Sequence, residues 1–373
     1  MLQKTTLFEA RTGGYWNYRV PGILCTRSGT VLATAEARRG SGGDWDGNDV
    51  ILRRSLDGGL NWEPPTVIVG CEQYGPGPVS NFCLIEDLDD GTVHALYCHN
   101  YARVFYLRST DEGATFSAPT EITASMLPFR EHYPWRVIAT GPGHGIQIRS
   151  GPYRGRLVVP VWMSDGSGTE FGAGKLGHRP SEVASITSDD HGQTWQCGDF
   201  VAHTDERVVN PSETIPVQLS DGTILFNVRN ESPQNRRLIA ISPDGAREWQ
   251  DLGFDGALLE PVCMASILRL YHQANKETTI LFANPDNLEN ELTPPGRHLA
   301  HDRKRLTVKA STDDCRTWLI SRVIEEGPSG YSDLAETPDG AVLCIYECGM
   351  IERMTDTQSI AVARFDLAWV TQS

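Results

Sequence analysis

Residues 55–62 read SLDGGLNW, and the pattern returns as STDEGATF at 109–116, SDDHGQTW at 188–195 and, degraded, STDDCRTW at 311–318. A fainter copy, SPDGAREW, occupies 242–249. Successive starts lie 54, 79, 54 and 69 residues apart, the scale of one supersecondary unit carrying variable insertions. In such a stretch Ser and Asp side chains satisfy backbone groups inside a tight turn, and Gly supplies a positive φ. The closing aromatic packs beneath the turn where the next strand begins. Each copy therefore reads as a hairpin stabiliser.

Short β-rich runs surround the copies: DVILRRS, RVFYLRST, RLVVPVWM, TILFNVR, LTVKAS and AVLCIYE, with hardly a helical pattern anywhere. The expected fold class is all-β. A four-stranded unit that cannot bury both faces alone stacks on its neighbours, which predicts a propeller. At roughly 60 residues per unit the chain accommodates about six blades, expected as one domain over residues 1–373. The 36 glycines and 22 prolines are spread along the whole length, as many short strands and turns require, and no linker stands out.

The net charge of −15 argues against nucleic acid and anionic membrane surfaces as partners, because a long-range negative field repels phosphate. An anionic substrate would need cations concentrated locally. The amino-terminal stretch MLQKTTLFEARTGG lacks the apolar run of a secretory signal, and no stretch is apolar enough to span a bilayer. The expected compartment is the cytoplasm, or the exterior if a signal has been trimmed. Nine cysteines without a CxxC pair read as buried thiols. No cofactor and no metal ligand set is expected; a bound calcium would be structural at most.

The repeats resemble the Asp boxes of the sialidase (neuraminidase) superfamily, whose BNR-repeat members include exo-α-sialidases. Asp boxes speak for the fold and are nearly silent on function, so Asp57, Asp111, Asp190 and Asp313 read as structural. A second signal is more specific. YRVP at 18–21 resembles the Phe/Tyr-Arg-Ile/Val-Pro motif of that family, whose arginine grips the sugar carboxylate, and this identifies Arg19. The resemblance runs from about Tyr18 to Cys348.

Followed residue by residue, the resemblance implies a site. In EARRGSGGDWDGND, Asp44 lies six residues after Arg38, where the family carries its acid/base aspartate; Asp46 and Asp49 are rivals. Glu213 and Arg229, at the ends of two strands joined by the turn SDG, would alone be a surface ion pair of little meaning. In the family they are the glutamate facing the nucleophile and the second arginine of the clamp. Arg303 is the third, with Arg305 and Arg297 as alternatives. GYSDLA at 330–335, which by itself reads as a loop anchored by a tyrosine, resembles the segment holding the nucleophile, Tyr331. Glu347 in IYECG resembles the glutamate that holds the first arginine, and Arg38 is a supporting cation. His144 in TGPGHGIQI reads as structural, while Trp45, Trp135 and Phe171 could line a sugar pocket or pack the core.

These residue types suit one reaction. Three guanidiniums bind the carboxylate on the anomeric carbon of a sialic acid with planar, bidentate bonds that lysines cannot match. That same carboxylate disfavours a carboxylate nucleophile, since two anions would be forced together. A neutral phenol avoids the repulsion, but with an ordinary pKa near 10 it needs a base, the role that falls to Glu213. The expected function is retaining hydrolysis of terminal α-linked sialic acid, on a sialylated glycan or sialoside, through a tyrosyl-glycosyl intermediate. The alternatives are a hydrolase or trans-glycosylase for a related nonulosonic acid such as deaminated sialic acid, and a non-catalytic glycan-binding propeller. The last predicts that Asp44, Glu213 or Tyr331 be missing, and all three are present.

Overall fold

The computed structural model describes residues 1–75, 77–168, 175–273, 278–292 and 301–372. Its described part is all-β, with a single α-helical turn, Leu367–Thr371, started by the Asp366 carboxylate accepting the Trp369 N–H. Every β-rich run named above forms a strand.

The strands fall into five hydrogen-bonded sheets, mostly antiparallel and in chain order. The first contains Asn17–Cys25, Val31–Arg38, Asn48–Ser55 and Thr66–Val69. The second runs through Val79–Glu86, Val93–His99, Arg103–Ser109 and Thr120–Glu121, with Gly143–His144 added in parallel beside Val79–Glu86. The third is Val137–Thr140, Leu157–Ser164, Ser181–Ser188 and Gln196–Ala202, with Ile146–Gln147 at one side. The fourth is Thr214–Gln218, Ile224–Val228, Arg236–Ser242 and Gln250–Leu259.

The fifth sheet has seven strands because one of them, Ile320–Glu336, is 17 residues long. Its first half pairs with Lys304–Ser311 and its second half with Ala341–Met350. The outermost strand of this sheet is Gln3–Glu9, paired with Thr357–Asp366, so the two ends of the chain are hydrogen-bonded together. The inner strands touch in a closed circuit, from Asn17–Cys25 through Val79–Glu86, the third sheet, Thr214–Gln218 and Ser266–Leu270 to Ile320–Glu336 and back.

The repeats explain how neighbouring sheets are held. In the first copy Asp57 Oδ1 accepts the Ser55 hydroxyl and the Asn61 N–H, both at 2.8 Å, while Ser55 Oγ accepts the Gly59 N–H. The same bonds recur around Asp111, Asp190 and Asp313. At Asp244 the turn is one residue tighter, and the carboxylate accepts from Ala246 and Arg247. Each turn also presses on the preceding sheet. A Cβ on Gly113, in the second sheet, would stand 2.7 Å from Leu32 of the first, so a side chain there would drive the sheets apart. The turn of the third sheet approaches Tyr106 and His94, that of the fourth Val158, and that of the first Leu343 of the last sheet. The Asp box is thus an inter-sheet staple as well as a hairpin turn.

All nine cysteines are free thiols. No helix among the described residues is long and apolar enough to cross a membrane.

Candidate functional site

The site forms where the inner strands begin. Arg19 is the third residue of Asn17–Cys25, Glu213 immediately precedes Thr214–Gln218, and Arg229 follows Ile224–Val228. Tyr331 lies inside the long strand Ile320–Glu336, not in a loop as its sequence context suggests. The pairing with Ala341–Met350 shifts register between Ser329 and Ser332, and that bulge erases the period-two pattern by which the strand could have been read. Similar shifts fall between Arg19 and Gly22 and between Ser80 and Cys83, so three inner strands are kinked.

Tyr331 is the centre of the arrangement. Its hydroxyl donates to Glu213 Oε1 at 2.6 Å and accepts from Arg229 Nη1 at 2.6 Å. Arg229 also pairs with the other Glu213 oxygen. The guanidinium carbons of Arg19, Arg229 and Arg303 stand 5.2, 5.9 and 5.2 Å from the centre of the Tyr331 ring. Only 7% of Tyr331 is exposed. Burial pushes its phenol far above the ordinary value; Arg229 opposes this, Glu213 adds to it, and Arg303 and Arg19 oppose it. The resting tyrosine is therefore neutral.

Each cation is held differently. Arg19 Nε and Nη2 donate to Glu347 Oε1 and Oε2 at 2.7 and 3.2 Å. Burial is the largest influence and would weaken the protonation of Arg19, but the charge and hydrogen bonds of Glu347, with Tyr331, together outweigh it and the guanidinium stays firmly protonated. Glu347 also accepts the backbone N–H of Val20 and of Tyr331, both at 3.1 Å. Arg303 has no carboxylate partner among the described residues: Nη2 donates to the Val262 carbonyl at 2.6 Å, and the buried Nε has no partner. The Arg229 Nε is likewise buried and unmatched. Desolvated donors of this kind are costly unless a ligand takes them up. Arg305, one of the alternatives for the third arginine, is exposed at a bulge with φ +62°, and Arg297 lies outside the described residues.

The three aspartates of the loop separate by their bonds. Asp46 Oδ2 accepts from the Ser41 and Gly43 N–H groups at 2.9 Å and closes the loop on itself. Buried Asp49 accepts from Cys71 N, Tyr15 and Arg39. Asp44 instead points to Arg38, with Nη1 at 2.6 Å, and its side chain is 46% exposed. Burial would raise the Asp44 carboxyl, but Arg38, His178 and Arg19 together hold it well below the usual carboxylate range.

Sequence reasoning missed the group behind Arg38. Glu36 Oε2 receives Arg38 Nε and Nη2 at 3.0 and 2.6 Å, and the pair is fully buried. Residues two apart on a strand share a face, so EAR at 36–38 carried the signal. Asp333, two residues after Tyr331, was also missed. Wholly buried, it accepts from His144 Nδ1 at 2.7 Å, Ser266 Oγ at 2.9 Å and Ile23 N at 3.0 Å, tying three neighbouring segments to the tyrosine strand. His144 thus has a structural partner. Trp45 packs 5.0 Å from the Tyr101 ring and 5.5 Å from His178, beside Asp44. Trp135 belongs to the core, being 1% exposed, and Phe171 lies outside the described residues. Away from this site, Asp87, Asp89 and His191 converge as cation ligands would, but Asp87 already accepts from His191 and Gln147, and Asp89 pairs with Arg154.

The family model for the BNR repeat-like domain matches residues 29–344. The chain belongs to that family, within the sialidase superfamily. Among its relatives, a sialidase of Micromonospora viridifaciens is 30% identical over 381 residues, covering 96% of this chain and 52% of that protein. Sialidase-2 of Mus musculus is 28% identical, covering 95% of this chain and 94% of the other. The chain spans 52% of the Micromonospora viridifaciens sialidase and 60% of a sialidase of Bacteroides fragilis. Among solved structures, the Hadza microbial sialidase Hz136 superposes with a TM-score of 0.78 at 25% identity, covering 99% of this chain and 69% of that one. An intramolecular trans-sialidase of Ruminococcus gnavus, with oseltamivir carboxylate, also reaches 0.78 at 16% identity, covering 99% and 98%, and shares the fold.

Proposed function

We propose that this chain is an exo-α-sialidase that hydrolyses terminal α-linked sialic acid from glycoconjugates with retention of configuration. The observation that carries the reading is the phenol of Tyr331, 2.6 Å from Glu213, beside three guanidiniums of which Arg303 has no direct carboxylate partner among the described residues. A buried cation with an unmatched donor calls for an anion, and the fork geometry suits a carboxylate. The catalytic unit is one domain of six blades. In support, the seven-stranded sheet divides at Ile320–Glu336, which closes one four-stranded unit and opens the next.

In the proposed reaction the substrate carboxylate docks on Arg19, Arg229 and Arg303. The Tyr331 oxygen attacks the anomeric carbon as Glu213 takes its proton, and Asp44 protonates the departing glycosidic oxygen. Asp44 then takes a proton from water, whose oxygen attacks the anomeric carbon and breaks the tyrosyl-glycosidic bond, while Glu213 returns the proton it holds to the departing Tyr331 oxygen. Asp44 is a carboxylate in the free protein, in part because of Arg19. A bound substrate anion cancels part of that positive potential, raises the Asp44 pKa and so favours its protonation where the proton is needed.

The test is turnover of a fluorogenic aryl sialoside with proton NMR of the first-formed anomer. Release of the α-anomer by the wild type, and its loss in Tyr331→Phe, is expected. No turnover by the wild type, or β-anomer formed first, would overturn the reading.

A further inference from the structure

The inner strands that begin at the candidate site end around a second cavity of about 200 Å³. Its lining is mixed, with Ile23, Ile85, Ile146 and Ile267 among the apolar side chains and several charged ones beside them. Three arginines border it: Arg27 in the turn after Asn17–Cys25, Arg149 just after Ile146–Gln147, and Arg269 in the strand Ser266–Leu270. In a chain of net charge −15 these would be expected to find carboxylates, yet none of the three guanidiniums forms an ion pair among the described residues; Arg27 Nη1 donates to the Leu88 carbonyl at 3.0 Å.

Arg149 and Arg269 both approach the half-exposed ring of Tyr271, with guanidinium carbons 3.7 and 5.3 Å from its centre. Neither has a carboxylate partner among the described residues; Arg269 Nη1 makes one long bond to the Gln218 carbonyl, 3.3 Å. Their positions are fixed rather than incidental. The buried Gln218 accepts the Arg149 backbone N–H at 2.8 Å through its side chain and receives the Arg269 guanidinium on its carbonyl, so one residue ties the two segments together. The Tyr271 and His272 N–H groups are held by Glu336 at 2.5 and 3.0 Å. Glu86, largely buried, accepts the Arg27 N–H on Oε1 at 2.7 Å, and its Oε2 makes no hydrogen bond among the described residues.

We propose that this second cavity binds a small anionic ligand, a carboxylate or phosphate on a compact hydroxylated body of about monosaccharide size. The anionic group would sit between Arg149 and Arg269, the body would stack on Tyr271, and Glu86 would meet a hydroxyl. A cavity of this volume is smaller than a site for drug-sized molecules, which limits the body to one ring. The site is independent of the clamp, which lies at the opposite ends of the same strands.

The four isoleucine δ1-methyls, ¹³C-labelled, report on the cavity by NMR. Titration with D-glucuronate and with inorganic phosphate separates the two sources of negative charge, with D-glucose as the neutral control. Saturable shifts with either anion and none with glucose are expected. They should weaken at least about tenfold in the double variant Arg149→Gln/Arg269→Gln and persist in the clamp variant Arg19→Lys. The proposal is overturned if neither anion gives saturable shifts, if glucose gives equal ones, if the double variant keeps them, or if Arg19→Lys abolishes them. Both arginines reach the surface, and Tyr271→Leu provides a second variant in which glucuronate affinity should fall while turnover at the clamp is retained.

Discussion

Arg19 and Glu347 form a buried two-bond pair, and the oxygen that completes it, Oε2, also receives the backbone N–H of Tyr331. One carboxylate thus mounts the first clamp arginine and the proposed nucleophile on a common support. Removing its charge in Glu347→Gln leaves Arg19 in place but unbalanced. The expected cost is a fall in kcat/KM of about 10–100-fold, the scale of a lost charged hydrogen bond. Steady-state kinetics on an aryl sialoside check it, and an unchanged kcat/KM would remove Glu347 from the machinery.

Gly330 is required by the same support. A Cβ there would lie 2.1 Å from Glu347 Oε2. The carboxylate is pinned by Arg19, Val20 and Tyr331 and cannot move aside without releasing them. Gly330→Ala is expected to fold, since only a side-chain end is displaced, and to lose activity at least about tenfold. Circular dichroism with kinetics separates the two effects.

Asp44 and Asp46 make opposite predictions. Asp46→Asn keeps an oxygen for the Ser41 and Gly43 N–H groups and should leave kcat within a few-fold of wild type. Asp44→Asn should lower kcat by about 10²–10⁴-fold on natural-type sialosides, the usual worth of a general acid. The loss should be smaller on aryl sialosides, whose leaving group needs less protonation. A dead Asp46→Asn beside an active Asp44→Asn would reverse the assignment.

The Arg38 guanidinium is the largest influence holding Asp44 below the usual carboxylate range, after burial, which acts the other way. Activity that needs Asp44 protonated must therefore decline as pH rises, and kcat/KM should have its optimum on the acid side. Arg38→Gln removes a positive charge, raises the Asp44 pKa and should move the alkaline limb to higher pH, whatever it does to the height of the profile. An unmoved limb would dissociate the limb from Asp44.

The Asp-box carboxyls of Asp57, Asp111 and Asp313 are pushed down to about 2, chiefly by side-chain bonds from Asn61, Thr115 and Thr317. A lowered folded pKa contributes stability that is fully present above the unfolded value near 4 and is lost as pH falls towards 2. The melting temperature should therefore drop between about pH 4 and 2, by a modest amount because the groups are exposed. The triple Asp→Asn variant should show a shallower slope over that window.

The amino-acid sequence alone determined the all-β class, the turns and much of the site, because Asp boxes and strand runs are local: Ser55, Asp57, Gly59 and Trp62 bond and pack within eight residues. It also carried Arg19, Glu213 and Tyr331 through their flanking motifs. The sequence could not reveal that Tyr331 stands in a strand, since a bulge interrupts the alternation, or that Asp333 anchors the tyrosine strand. Only the tertiary structure distinguished the bonds of Asp44 from those of Asp46, left Arg303 without a direct carboxylate partner among the described residues, and assembled Arg149 and Arg269 around Tyr271. The reason is physical: hydrogen bonding within a turn depends on neighbours in the chain, whereas desolvation and charge balance depend on which distant strand ends closure of the ring brings together.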